Sequence, residues 1–219
     1  MSTEPTGFLY PFIESEERHA GPLVAQLATS ARAKMAESRA LRAATLERYD
    51  RLLADAAAAM ADRFRRGGRL LAFGNGGSAT DAEGTVALFA DPPRGRPLPA
   101  MSLIDDQAVV TALANDVGFD LVFSRQIMAL ARTGDIAVGF STSGDSLNVV
   151  RALEEASRRR LLTVGLCGYD GGAMATSVTV DYCLVVRSHS VHRIQEAQDA
   201  LALRLWSMVQ RHLGETGWP

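Results

Sequence analysis

The 219-residue chain has little cysteine, few aromatic residues and no excess of charge of either sign. Its two cysteines, Cys167 and Cys183, lie in or at the end of apolar runs. This usage excludes a disulfide scaffold and indicates two buried free thiols. No window approaches the roughly 18 apolar residues of a membrane-spanning helix, and residues 1–12 lack the basic and apolar stretches of a signal peptide. We therefore expect a cytoplasmic protein with no membrane partner.

The charge balance also argues against a nucleic-acid partner. Lys and Arg number 23 and Asp and Glu 25, which gives a formal net charge of −2. Proteins whose affinity depends on neutralising phosphates usually carry a net or clustered basic excess. The two arginine clusters, at residues 63–69 and 158–160, fall where helices are expected to end, and cations there complement the helix dipole. We expect no direct binding to nucleic acid.

The first part of the chain, from Glu14 to about Arg66, is rich in Ala, Leu, Arg and Glu and has no proline after Pro22, which predicts helix. One apolar stripe recurs at steps of three and four: Leu46, Tyr49, Leu53, Ala56, Met60 and Phe64. A single helix of this length would exceed the usual range of about 8–20 residues, so a break is expected between Ser30 and Thr45. We assign residues 1–66 to a helical arm that contributes oligomer contacts, and residues 67–219 to an α/β domain.

Beyond residue 67, short apolar runs alternate with helical patterns. The predicted strands are Arg69–Phe73, Leu98–Ile104, Ile136–Phe140, Leu161–Leu166 and Tyr182–Val186. The predicted helices are Ala79–Ala90, Phe119–Ala131, Leu147–Arg159 and Arg193–His212. Strands that are apolar on both faces and separated by helices imply a parallel sheet covered on both sides, that is, a three-layer doubly wound α/β fold. In such folds ligands bind beyond the carboxyl ends of the strands.

The loop after the first strand, Gly74-Asn75-Gly76-Gly77-Ser78, leads directly into a helix. Its glycines let the backbone approach a ligand, and the helix N-terminus offers unpaired N–H groups to an anion. Gly74, Gly76 and Ala79 also fit the spacing of a dinucleotide fingerprint. That fingerprint needs an acidic residue about 20 positions further on, and Asp105 lies well past this offset. The match is therefore weak, and a dinucleotide enzyme is disfavoured because the hydroxyl-rich loop after the third strand has no role in such a site.

The loop after the third strand, Ser141-Thr142-Ser143-Gly144-Asp145-Ser146, carries four hydroxyls immediately before another helix. Hydrogen bonds to a charged group contribute about 1.5–3 kcal/mol each, so three or four could hold a phosphate monoester without any Lys or Arg. The alternative is an N-cap, since Ser, Thr and Asp are preferred capping residues. One cap needs one hydroxyl, and the presence of four favours phosphate.

Five motifs follow one another in the chain: Gly74-Asn75-Gly76-Gly77-Ser78; Ala114-Asn115-Asp116 with Phe123-Ser124-Arg125; Ser141-Thr142-Ser143-Gly144-Asp145-Ser146; Gly168-Tyr169-Asp170-Gly171-Gly172; and Arg193-Ile194-Gln195-Glu196. This series resembles the SIS (sugar isomerase) domain family, in particular its phosphoheptose isomerase branch, which converts sedoheptulose 7-phosphate to a heptose 7-phosphate. The resemblance covers about residues 40–213.

The resemblance implies a flavodoxin-like five-stranded parallel sheet and a homotetramer whose N-terminal and C-terminal helices build the subunit contacts. It implies a phosphorylated sugar as ligand, with its phosphate in the Ser141–Ser146 loop. Asp116 fits either a substrate contact or a cap for the next helix. The residues that the resemblance places at the substrate or phosphate are Asn75, Gly76, Gly77, Ser78, Asn115, Asp116, Ser141, Thr142, Ser143, Ser146 and Gln195.

The chain departs from the family where the resemblance places the catalytic acid and base. Family enzymes carry a His six residues and a Glu ten residues after the serine of the first loop, and a His eight residues after the glutamine of the last motif. The corresponding positions here are Gly84, Leu88 and Leu203. The zinc of some members uses the same groups, of which Gln195 alone remains, so we expect no metal and no other cofactor.

Other side chains could supply the acid and base. The candidates are Glu83, next to Gly84; Asp199, which shares one helix face with Gln195 and Leu203; and His192, just before the last helix. Each of the three also fits an ordinary solvated surface residue.

Two functions stay open at this point. The first is a phosphosugar aldose–ketose isomerase with a relocated acid–base pair. The second is a non-catalytic phosphosugar-binding regulatory protein, resembling the branch of the family that associates with the bacterial replication initiator.

Overall fold

One continuous helix, α1, extends from Ala20 to Arg65 in the computed structural model, which describes residues 20–215. The break that we expected between Ser30 and Thr45 is wrong. That expectation came from typical helix length alone, whereas residues 23–65 contain no Gly or Pro and are dominated by strong helix formers. Arg63 and Arg65 lie in the last turn of α1, as predicted for the arginine cluster there.

The described residues divide into two compact units, with the boundary between Ala40 and Leu41. Within the second unit, the apolar stripe of α1 is part of the core, where Leu53, Ala56 and Met60 are fully buried. The arm predicted to end at residue 66 therefore supplies a core helix over its second half.

A five-stranded parallel sheet forms the centre of the second unit, with strand order β2-β1-β3-β4-β5. The strands are β1 Leu70–Gly74, β2 Ala100–Ser102, β3 Ile136–Ser141, β4 Leu162–Gly168 and β5 Tyr182–Val186. The helices are α2 Gly77–Ala90, α3 Gln107–Asp116, α4 Val122–Leu130, α5 Leu147–Arg158, α6 Gly172–Thr176 and α7 Val191–His212, with a 3₁₀ turn at Phe119–Leu121. The predicted flavodoxin-like parallel fold is confirmed.

Helices cover both faces of the sheet. One apolar core joins the sheet to α1, α2 and α7 and includes Phe140 and Trp206, both fully buried. The other joins it to α4 and α5 and includes Phe73 and Phe123, whose ring centroids are 5.4 Å apart. Because both faces are covered, the strands are apolar all round, which is the pattern that predicted a parallel sheet.

The strand predictions hold with small shifts at the ends. β5 has the predicted bounds, whereas β2 has three residues and lies at the edge of the sheet, where it pairs only with β1. Helices α3 and α6 were not predicted. No residue of α3 is fully buried, although Val110, Leu113 and Ala114 form a short half-buried apolar stripe, and α6 has only five residues.

The two cysteines lie on neighbouring strands, with Cys167 on β4 and Cys183 on β5. Both are free thiols, as predicted; Cys167 is buried, Cys183 is half-buried, and their sulfurs are 3.6 Å apart. Within residues 20–215 no helix is both long and apolar enough to cross a membrane.

The sheet order fixes where a ligand can bind. β1 and β3 are neighbours at the centre of the sheet, while β2 lies on the far side of β1, so the chain reverses direction across the sheet at this point. Ligands of open α/β sheets bind at such a switch point, beyond the carboxyl ends of the strands. The loops after β1 and β3 are the two that the sequence singled out.

Candidate functional site

The loop after β1 lies in close contact with α7. Gly76 has a φ of 56° and precedes the first turn of α2. A Cβ at Gly77 would come within 2.2 Å of Gln195 Nε2, so glycine there lets the Gln195 side chain lie directly on the loop. Ser78, in the first turn of α2, is buried. The structure therefore brings three of the predicted site residues, Gly77, Ser78 and Gln195, to one place.

The loop after β3 gathers serine hydroxyls at the N-terminus of α5. Ser141 Oγ donates to Ser146 Oγ at 2.9 Å, lies 3.4 Å from Ser143 Oγ, and accepts from the backbone N–H of Gly144 at 3.1 Å. Ser146 is the N-cap residue of α5, but its side chain makes no capping hydrogen bond. The capping alternative for Ser146 is therefore not what the geometry shows, and the hydroxyls converge on one another.

The loop after β4 clamps this serine loop. Gly144 has a φ of 74°, and a Cβ there would lie 2.0 Å from the carbonyl oxygen of Gly171. The Met174 N–H donates to the Gly144 carbonyl at 3.0 Å, and the Ala173 N–H donates to Asp145 Oδ1 at 2.7 Å. Thr142 is half-buried. These contacts hold the serine loop in one conformation.

Two asparagines join the loops after β1 and β3. Asn75 Nδ2 donates to Asn148 Oδ1 at 2.8 Å, and Asn148 Nδ2 donates to Asn75 Oδ1 at 2.9 Å. Asn148 is buried. Each amide nitrogen has a second N–H, so Asn75 can donate one further hydrogen bond while the pair stays intact.

A cavity of about 530 Å³ lies between α2 and α7. Its lining residues are Thr80, Asp81, Gly84, Thr85, Leu88, Asp199, Ala202 and Leu203. All three positions at which the resemblance implies the family's acid, base and metal ligands line this single cavity. They hold Gly84, Leu88 and Leu203. The positions thus converge in space, although none of these side chains can exchange a proton.

Asp81 is the buried carboxyl of this cavity. Gln195 Nε2 donates to Asp81 Oδ2 at 3.3 Å. Burial raises the pKa of Asp81 to about 6; the hydrogen bond from Gln195 opposes this shift, and the negative charge of Asp199 adds to it. Asp199 is exposed, although its side chain lines the cavity, and partial desolvation together with the charge of Glu196 raises its pKa above the ordinary value.

The raised pKa of Asp81 has a consequence for stability. A carboxyl with a higher pKa in the folded state than in the unfolded state binds more protons when folded. Its contribution to the free energy of unfolding is therefore fully present below about pH 4 and is lost as the pH rises through about 6. At neutral pH the buried, ionised Asp81 therefore lowers the free energy of unfolding, which is typical of functional residues with a shifted pKa.

Asp81 was missed by the sequence reasoning. The first-loop motif drew attention to the positions six and ten residues after Ser78, and Asp81 lies three residues after it. One signal could have found it, because Asp81, Thr85 and Leu88 share a helix face at steps of four and three. A carboxyl on the same face as a vacated catalytic position is a candidate replacement.

The other candidates lie in different surroundings. Glu83 is exposed on α2 and does not line the cavity. His192 is exposed, and it lies inside the first turn of α7, not before the helix as expected. Asn115 and Asp116 are exposed at the end of α3, where Asn115 Nδ2 donates to Asp116 Oδ1 at 2.9 Å. Asp116 caps no helix within the described residues, since the following 3₁₀ turn begins after Gly118 without a side-chain cap.

The donor set does not fit the zinc site of the resemblance. Within residues 20–215 no three or more His, Cys, Asp or Glu side chains cluster as a metal site would require. Zinc in proteins takes Cys, His and carboxylate ligands. The cavity offers glycine and leucine at the three positions where the resemblance expects histidine and glutamate.

Comparison with known proteins places these features in a family. A family model described as "SIS domain" matches residues 35–168. The phosphoheptose isomerase of Roseiflexus sp. (strain RS-1) is 41% identical over 173 residues, which is 78% of this chain and 87% of that protein. The phosphoheptose isomerase of Aquifex aeolicus is 38% identical over 181 residues, covering 82% of this chain and 94% of that protein.

Solved structures give the same result. The phosphoheptose isomerase GmhA from Neisseria gonorrhoeae superposes with a TM-score of 0.78 at 35% identity, covering 84% of this chain and 99% of that one. A phosphoheptose isomerase from Francisella tularensis also gives a TM-score of 0.78, at 29% identity, over 84% of this chain and 98% of that one.

Proposed function

Since this chain belongs to the SIS domain family and, within it, to the phosphoheptose isomerases, we propose that it binds a phosphorylated sugar and interconverts its aldose and ketose forms. The observation that carries this proposal is the convergence of Ser141, Ser143 and Ser146 hydroxyls at the N-terminus of α5. Sedoheptulose 7-phosphate is the substrate that the family resemblance favours.

The phosphate site works without a basic residue. Ser141, Ser143 and Ser146 present three rotatable hydroxyls, and α5 is long enough, at 12 residues, to offer free N–H groups and a partial positive charge at its N-terminus. Hydroxyl and amide donors to a dianion each contribute about 1.5–3 kcal/mol. Such a site adds no formal charge, in agreement with the near-neutral balance of the chain.

The sugar then extends from the serine loop over the neighbouring loop of β1. Asn75 joins the two loops, and Gln195 contacts both Gly77 and Asp81. This chain of contacts leads from the phosphate to the α2–α7 cavity. We propose that the reacting carbons lie at that cavity and that its acid–base chemistry has moved away from positions 84, 88 and 203.

A second candidate function is a regulatory protein that binds the phosphosugar without converting it. The apolar side chains Leu88 and Leu203 in the cavity favour it, because they remove the groups by which the resemblance implies proton transfer. Incubation with sedoheptulose 7-phosphate in D₂O separates the two functions. Deuterium incorporation at C1, seen by NMR, supports the isomerase, whereas binding without incorporation supports the regulatory protein.

The phosphate site is tested by the double substitution Ser141→Ala with Ser143→Ala. Losing two charged hydrogen bonds is expected to weaken phosphosugar binding by about 10²–10⁴-fold. The wild type should therefore show a rise in Tm with C6 or C7 phosphosugars that the double variant lacks. Ser157→Ala, at the opposite end of α5, is the matched control and should keep the full rise. No rise in the wild type with any such phosphosugar would contradict the proposal.

We also propose a cytoplasmic homo-oligomer, with the tetramer of the resemblance as the expected state. Apolar side chains on the first part of α1 support it: Leu23, Val24, Leu27 and Met35 are 43–63% exposed. Contacts between copies would remove this apolar surface from water. Light scattering is expected to give a mass of about four chains, and a monomer at micromolar concentration would contradict the assembly.

A further inference from the structure

The α2–α7 cavity contains two ionisable groups among its eight lining residues, and both are carboxylic acids, Asp81 and Asp199. We propose that Asp81 is the general base that transfers the proton between C1 and C2 of the bound phosphosugar, and that Asp199, the other carboxyl that lines the cavity, is a positioning residue that acts through Asp81. This inference rests on the proposed isomerase function and names the residue that performs it.

The position of Asp81 suits a base that acts on a sugar held by the serine loop. It lies four residues after Gly77 on α2, which is about 6 Å along the helix axis from the loop where the sugar passes. It shares its helix face with Leu88, the position where the resemblance implies a glutamate. A carboxylate two turns earlier on one face can reach the same cavity from a slightly different point.

The carboxyl of Asp81 is held by one oxygen and open at the other. Gln195 Nε2 donates to Oδ2, and Gln195 itself lies against Gly77. Oδ1 accepts no hydrogen bond from any residue that the structure describes. A general base needs one oxygen in hydrogen-bond reach of the proton it removes, so Oδ1 is the atom we assign to the substrate.

Burial makes Asp81 a stronger base than an ordinary aspartate, and the negative charge of Asp199 adds to this effect. From α7 it faces the Gln195 amide and the Asp199 carboxylate, while Glu196 in turn acts on Asp199. No Lys, Arg or His is among the lining residues of the cavity. A carboxylate in a partly desolvated site beside a like charge holds a proton more tightly, and a base is most effective when its pKa lies near the working pH.

The step balances with water as the only co-reactant. The Asp81 carboxylate takes the proton from C1 of the ketose, and the carbonyl oxygen on C2 receives a proton from water, which gives the enediol. The Asp81 carboxyl then exchanges its proton with solvent and delivers a proton to C2, while the hydroxide left from the first step takes the proton of the C1 hydroxyl, which becomes the aldehyde. One proton has moved between adjacent carbons, and no oxidant or reductant is needed.

The first test compares deuterium exchange at C1 of sedoheptulose 7-phosphate in D₂O at pH 7.5. Asp81→Asn is expected to reduce the exchange rate by about 10²–10⁴-fold, the usual contribution of a general base. It should keep the ligand-induced rise in Tm, because the phosphate loop is untouched. Asp91→Asn makes the same chemical change at the C-terminal cap of α2, outside the cavity lining, and should leave the rate unchanged.

The second test measures how kcat/KM depends on pH. The midpoint of that profile would not move if Asp81 and Asp199 only stabilised the fold. The wild-type kcat/KM should rise with pH through a midpoint near 6, where Asp81 loses its proton. Asp199→Asn removes the neighbouring negative charge, so the midpoint should move to lower pH with a smaller loss of rate than in Asp81→Asn. Asp81→Asn should also raise Tm at pH 8 and leave it nearly unchanged at pH 4, because the asparagine cannot ionise.

Failure of the Asp81 assignment and failure of the proposed isomerase function give different results. Exchange in Asp81→Asn within about threefold of the wild type, or an unmoved midpoint in Asp199→Asn, overturns this inference and leaves the isomerase function standing. A wild type that binds phosphosugars but exchanges no deuterium overturns both the inference and the isomerase. A lowered Tm of Asp81→Asn at pH 8 identifies Asp81 as a structural residue and also overturns the inference.

Discussion

Gly144→Ala is expected to lower the free energy of unfolding by more than about 4 kcal/mol and to abolish phosphosugar binding. For a chain of this length, 1 kcal/mol corresponds to about 2–4 °C in Tm, so the expected fall is about 8–16 °C. Urea denaturation measures the free energy, and the thermal shift with phosphosugar measures binding on whatever folded protein remains.

The cause is a collision between two pieces of backbone. The added Cβ would lie 2.0 Å from the Gly171 carbonyl oxygen and 2.5 Å from its carbon. Neither atom belongs to a flexible side chain, so the loops after β3 and β4 would have to separate. Separation breaks the hydrogen bond from the Met174 N–H to the Gly144 carbonyl, and it moves Gly144 away from Ser141 Oγ. The serine hydroxyls then lose the arrangement that we propose for phosphate binding.

Gly134→Ala is the matched control. Gly134 also has a positive φ, 98°, but a Cβ there meets nothing within 4 Å. Its cost is therefore the backbone strain of an L-residue at positive φ, about 1–2 kcal/mol, with binding unchanged. Equal losses in the two variants would mean that strain alone, and not the clamp between the two loops, accounts for the effect at Gly144.

The sheet was readable from the sequence because its signal is local. Each strand is a short apolar run between helical stretches. This local pattern indicates a strand covered on both faces, even when its neighbours in the sheet are unknown. The continuous α1 was missed for the opposite reason. The average length of helices suggested a break, whereas the residues from 23 to 65 carry no helix-breaking signal.

The serine loop after β3 was predictable by composition, since four hydroxyls before a helix are visible in the chain. The contacts that hold this loop in place could not be predicted from the sequence. Asn148 pairs with Asn75 from 73 residues away, and Asp145 receives a hydrogen bond from Ala173, 28 residues on. Asp81 gains its raised pKa from burial and from α7, more than 100 residues later in the chain. Such pairings depend on how elements pack, which spacing within one element cannot reveal.

Positions 84, 88 and 203 also come together only because α2 packs near α7. Their proximity supports a second prediction with a large expected effect. The triple substitution Gly84→His, Leu88→Glu and Leu203→His should create a zinc site in a protein whose donors do not fit one. Positions 84 and 88 are four apart on α2, so their side chains share a face, and position 203 faces them from α7 across the same cavity. A Cβ at Gly84 meets nothing within 4 Å, so the histidine there has room.

We expect the Zn²⁺ dissociation constant, measured by competition with a chromogenic chelator, to fall from above about 1 mM in the wild type to about 1 µM or lower in the triple variant. That is a gain of about 4 kcal/mol. Two-ligand variants, each lacking one of the three changes, are the controls, because zinc held by proteins takes three or four protein ligands and two added donors leave the site incomplete. Zinc binding should also raise Tm, since metal bound only by the folded state stabilises it. A triple variant that binds zinc no more tightly than the two-ligand controls would mean that the three side chains do not meet in the folded protein, and the location proposed for the reacting carbons would lose its main support.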